Sequence, residues 1–76
     1  MGLNVLTVKR IPLRKARHAK KLTQTALAAR LGRVQSYISK LERGERTDIT
    51  VDEVAALGKE LGVEPWALTF GQEVSR

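Results

Sequence analysis

The chain has 76 residues, of which 42% are hydrophobic and 29% charged, with a formal net charge of +6 and no cysteine. That length suits a single domain with a modest core and leaves no room for a ligand-sensing domain; the missing cysteine excludes disulfides and cysteine-ligated zinc. No apolar run approaches the roughly 18 residues of a membrane span, and no basic-then-apolar leader pattern is present, so a soluble cytoplasmic protein is expected.

Residues 1–8 are apolar and β-branched and read as a short extended N-terminal arm. Pro12 suits the first turn of a helix, where its missing N–H costs nothing, and predicts a first helix over Pro12–Lys20 with Leu13 and Ala16 inward. Thr23 is a good N-cap for a second helix over Gln24–Leu31, rich in alanine and leucine and stopped by Gly32. A third helix, from about Val34 to Arg43, follows almost at once, and Gly44 closes it. After a polar connection, Glu45–Ile49, the Thr50-x-x-Glu53 pair forms a capping box that opens a fourth helix. Val51, Val54, Leu57 and Leu61 recur there at helical spacing, and Gly62 ends it. Pro65 starts a short fifth helix in which Trp66 and Leu68 are expected to seal the core. The fold class predicted is therefore all-α: a compact five-helix domain over residues 9–76, preceded by the arm at 1–8.

Charge divides the chain sharply. Ten of the fourteen Lys and Arg lie in residues 1–41, which hold no acid, while all eight acids lie in residues 42–76. A basic segment that excludes acids is the footprint of a polyanion partner. The informative spacing is at residues 23–44, TQTALAARLGRVQSYISKLERG. Two helices separated by only Gly32 and Arg33 meet at a steep angle; Ala28 permits close approach, and Ile38 and Leu41 anchor the inner face of the third helix. On a 100° wheel centred on Ile38, Val34, Leu41 and Glu42 share the buried side. Ser36, Lys40 and Arg43 fall opposite, flanked by Gln35 and Ser39. The outward stripe is short, polar and free of acids. Gln pairs with adenine and Lys with guanine in the major groove.

These features resemble the Cro- and lambda-repressor-like helix-turn-helix proteins of the xenobiotic-response-element type. The likeness runs from Leu13 to about Leu68 and rests on Arg17, Leu22-Thr23-Gln24, Leu27-Ala28, Leu31-Gly32, Gln35 to Gly44, and Leu61-Gly62-Val63. It implies a lambda-repressor-like fold and places base-contacting positions on Gln35, Ser36 and Lys40, with Val34 near a thymine methyl. It implies phosphate contacts at or beside Gln24, Arg33, Tyr37, Ser39, Arg43 and Arg46, and a structural ion pair between Arg17 and Glu42. Three positions depart from the family pattern. Lys21 stands where a glycine usually ends the first helix, Arg33-Val34 removes the usual N-cap of the third, and Gly58 replaces an alanine in the fourth.

The expected function is sequence-specific binding of double-stranded DNA by a homodimer on a palindromic operator, as a small prokaryotic or phage-type transcriptional regulator. The dimer would form through Trp66, Leu68 and Phe70 or through the arm. An alternative is a protein-interaction module, antitoxin-like or part of a restriction system, that engages a toxin or polymerase. Binding of anionic membrane is disfavoured, because only Leu13 and alanines back the charges of the first helix. No enzyme is expected: His18 is the sole histidine and has no carboxylate or nucleophile beside it in the chain, and no metal or cofactor motif is present.

Overall fold

The computed structural model describes residues 5–70. Its elements run in the order β1 (Val5–Thr7), α1 (Arg10–Ala19), α2 (Gln24–Arg30), α3 (Gln35–Arg43), β2 (Asp48–Thr50), α4 (Val51–Leu61) and a short 3-10 turn, Pro65–Leu68. The expectation of five helices and no sheet is therefore corrected, among the described residues, to four α-helices, one 3-10 turn and a two-stranded sheet. Residues 5–7 of the supposed arm are the first strand. They pair antiparallel with β2 in the register Val5–Thr50, Leu6–Ile49 and Thr7–Asp48. The opposite edge is used as well, because Lys9 N–H donates to Leu68 O and Phe70 N–H to Thr7 O. A three-residue strand with few side chains to bury has little stability alone; its backbone is held because neighbours from both later segments satisfy it. Val8, the last residue of the arm, is buried in the core, and residues 1–4 lie outside the described residues.

Helix α1 starts at Arg10, two residues before the predicted Pro12, and so places the proline within the first turn. That position is harmless, since first-turn N–H groups have no intrahelical acceptor. The helix ends on Lys21 in the left-handed region, φ 57°, the only non-glycine residue there among those described. Lysine thus accepts the conformation that glycine usually fills. Thr23 caps α2 through a bond from Ala26 N–H to its hydroxyl, and Gly32, at φ 69°, turns the chain. Capping is weaker at α3. Its N-cap is Val34, which offers no side-chain acceptor, so the helix proper begins one residue later than the sequence suggests. The capping box of α4 is complete, with Thr50 Oγ1 accepting from Glu53 N–H and Glu53 Oε1 from Thr50 N–H.

Every element contributes to one core. Leu13, Leu27, Ile38, Leu41, Ile49 and Leu57 are fully buried, with Val8, Ala28, Val54, Leu61 and Leu68 around them. Gly58 lies where the chain after α4 doubles back: a Cβ there would sit 2.7 Å from Val63 O, closer than real contacts permit. Leu68 closes the bottom of the core, but Trp66 does not share that role, being 71% exposed. A 3-10 turn has three residues per turn, so side chains two apart point in well-separated directions.

Candidate nucleic-acid interface

Helix α3 packs its Ile38–Leu41 side against α2 and α1, with Ile38 and Leu41 wholly buried. The solvent face carries Gln35, Ser36, Lys40 and Arg43, all exposed, and no acid. Glu42 is the helix's one acid, and it points inward with 1% exposure. Two side chains, Val34 and Ser39, differ from the wheel. The wheel puts Val34 on the buried side, yet it is 70% exposed, because an extended N-cap does not follow the helical step. Tyr37 and Ser39, carried over as phosphate positions, are buried. They stand at about −100° and +100° from Ile38, and the trough that receives α3 is deep enough to cover both flanks.

An ion pair anchors the back of the helix. Arg17 on α1 donates from Nε to Glu42 Oε2 at 2.6 Å and from Nη2 to Glu42 Oε1 at 2.9 Å, and its Nη1 donates to Leu22 O at 2.8 Å. Burial pushes the Glu42 carboxyl up, but the hydrogen bonds from Arg17 and Gln24 and the charges of Arg17 and Arg14 outweigh it and hold the group below its ordinary value. The hydrogen bond from Arg17 to Glu42 raises the arginine in turn. A carboxylate only accepts, so Gln24 must turn its amide N–H toward Glu42, at 3.0 Å. That leaves Gln24 Oε1 facing outward, where it accepts from Gln35 Nε2 at 2.6 Å. A chain of polar contacts therefore runs from the core of α1 to the first residue of α3.

The flank of α3 carries a second cluster. Arg33, just before the helix, and Arg46, just after it, both donate to Glu53 at the start of α4, at 2.9 Å and 3.0 Å. Both guanidinium groups also lie over the Tyr37 ring, 4.5 Å and 5.2 Å from its centroid, within cation–π range. Burial pushes Glu53 up, yet the Thr50 N–H, Arg46 and Arg33 together bring it below its ordinary value. Tyr37 is raised, first by burial and then by the Glu53 charge, against the two arginines. The sequence shows Glu53 only as a capping-box residue; its partners stand 20 and 7 positions away, and neither lies in a helix with it. Arg43 forms an exposed pair with Glu45.

A helix-turn-helix family model matches residues 13–65 of the chain. The chain belongs to the helix-turn-helix family, in its xenobiotic-response-element type. Among solved structures, this helix-turn-helix regulator is similar to the restriction-modification controller protein C.AhdI from Aeromonas hydrophila. The two share 34% identity and a TM-score of 0.69 over 76% of this chain and 83% of the controller. No curated protein sequence matches the chain. The family assignment makes it a DNA-binding transcription regulator, and α2 and α3 are its paired helices. No helix among the described residues is long and apolar enough to cross a membrane.

Proposed function

We propose that this regulator reads duplex DNA sequence-specifically by inserting α3 into the major groove, and that it does so as a homodimer on a two-fold-related operator. The observation that carries the reading is the acid-free outer face of α3, where Gln35, Ser36 and Lys40 stand exposed beside Val34 and Arg43. Gln and Lys match the donor and acceptor patterns of adenine and guanine, each good contact contributing about 1–3 kcal/mol of discrimination. Gln24, Arg33, Arg43 and Arg46 border that face and supply donors for backbone phosphates. The likeness to a restriction-modification controller supports a small regulator that acts through DNA.

One recognition helix spans few base pairs, so useful specificity needs two copies with half-sites about 34–36 Å apart or a multiple of that. Trp66 and Phe70, 71% and 55% exposed, offer apolar area to a second copy. The test is selection of bound sequences from random duplex DNA, followed by binding of a Lys40→Ala variant. A palindromic consensus whose preference shifts in that variant is the expected outcome. Failure to enrich any sequence overturns the reading in favour of a module that binds a protein partner.

A further inference from the structure

Glu53 holds the two arginines that border the recognition helix, although one carboxylate beside a helix cap does not require both. Its Oε2 accepts from Arg33 at 2.9 Å and from Arg46 at 3.2 Å, and its Oε1 from Arg46 at 3.0 Å and from Thr50 N–H at 2.9 Å. The Glu53 side chain is largely shielded, whereas Arg33 and Arg46 keep 44% and 37% of their side-chain surface in solvent. The carboxylate is thus behind and the cations in front. A carboxylate and a phosphodiester both carry one negative charge and both accept forked bonds from a guanidinium, so the two compete for the same donors.

We infer that Glu53 is a specificity-determining residue, an internal counter-ion that keeps Arg33 and Arg46 from loosely approached DNA and yields them to phosphates only when α3 is seated. This rests on the proposed docking of α3 in the major groove. Arg33 precedes α3 by two residues and Arg46 follows it by three, so phosphates flanking a groove reach both only when the helix lies between them. On random DNA the carboxylate, already in place, retains them. Sequence-independent affinity comes from phosphate contacts and counterion release, so withholding two cations lowers it. Lowering affinity for the wrong sites is one of the two routes to discrimination.

Glu53→Gln tests this, because glutamine also completes a capping box while the charge and the acceptor oxygen facing Arg33 are removed. Binding is measured for the consensus duplex from the selection and for a random-sequence duplex of equal length, across a salt series. The variant is expected to bind the random duplex several-fold more tightly at low salt. It should lose about tenfold more affinity than wild type between about 50 and 200 mM salt, as two further phosphate contacts require. Affinity for the consensus should change less than on random DNA, so the ratio of the two narrows. Asp52→Asn, removing an exposed neighbouring charge that contacts neither arginine, sets the baseline for simple repulsion. Equal effects of Glu53→Gln and Asp52→Asn overturn the inference. So does an effect that persists when Arg33 and Arg46 are both alanine, with folding verified by thermal melting. A wild-type chain that binds neither duplex overturns the DNA-reading proposal itself; one that discriminates while Glu53→Gln leaves the ratio unchanged overturns only the role of Glu53.

Discussion

Replacing Arg17 with methionine isolates the ion pair that anchors α3. The substitution removes both bonds to Glu42 and the one to Leu22 O, while keeping most of the apolar stem. Glu42 would be left inside the protein with the Gln24 amide and, at 3.7 Å, the half-exposed Arg14. Breaking a buried pair from one side costs about 3–5 kcal/mol, because a charge stays behind without its partner. A domain of this size has a total stability of only about 4–11 kcal/mol, so Arg17→Met should be severely destabilised and in part unfolded at ambient temperature. Replacing both members, Arg17→Met with Glu42→Leu, removes the stranded charge and should return stability to within about 1 kcal/mol of wild type. Urea denaturation followed by circular dichroism measures both, with the m-value unchanged if the same surface is exposed. The deficit of Arg17→Met should also shrink in acid, because its unpaired Glu42 can take up a proton. A double variant as unstable as the single one would show that packing, rather than the stranded carboxylate, sets the cost. The double variant also leaves Gln24 without its inner acceptor, so its base discrimination should fall even where its stability recovers.

Lys21→Gly should stabilise the fold by about 0.5–1 kcal/mol, the left-handed cost of lysine less the extra freedom of unfolded glycine; a thermal melt that does not rise contradicts strain at this helix end. Gly58→Ala should cost about 1–2 kcal/mol net, since overlap with Val63 O exceeds the gain in helix propensity, and is read from the same melts. Acid should destabilise the wild type through Glu42 and Glu53, both held below their ordinary value in the folded protein. Their stabilising contribution is complete above the unfolded carboxylate range, about 4.3, and is lost as pH falls through the lower folded values, because the unfolded chain binds protons first. Glu42→Gln should flatten that limb of the stability profile. Trp66→Ala should leave monomer stability nearly unchanged, as an exposed side chain predicts, and should weaken self-association in sedimentation if this surface joins two copies.

Local rules account for much of the molecule from the sequence alone. Thr23, Gly32, Thr50 with Glu53, and Gly62 each act within a few residues, through a cap, a turn or a stop, and the helices they bound lie within two residues of expectation. The outward direction of Ser36 and Lys40 follows from helical periodicity, which needs only one buried reference, Ile38, whereas Gln35, about 60° from that reference, is exposed as the first residue of the helix. Where the local rule was missing, as at Val34, the boundary and the side-chain direction both shifted.

Tertiary structure decided what depends on partners far along the chain. Residues 5–7 became a strand because β2 and residues 68–70 meet their backbone from both sides, which no property of the segment itself announces. Tyr37 and Ser39 are buried because the surroundings of α3 cover more than a single helix face, and Trp66 is exposed because Leu68, two residues on in the same turn, is the side chain that enters the core. Above all, the sequence marks Arg33 and Arg46 as free cations and Glu53 as a cap. Only the fold brings the start of α4 beside the segments that flank α3 and joins them, since no continuous helix connects either arginine to Glu53. The chain by itself thus determined that a basic helix-turn-helix would form, while the placing of the start of α4 beside the segments flanking α3 determined that Arg33 and Arg46 are held by Glu53.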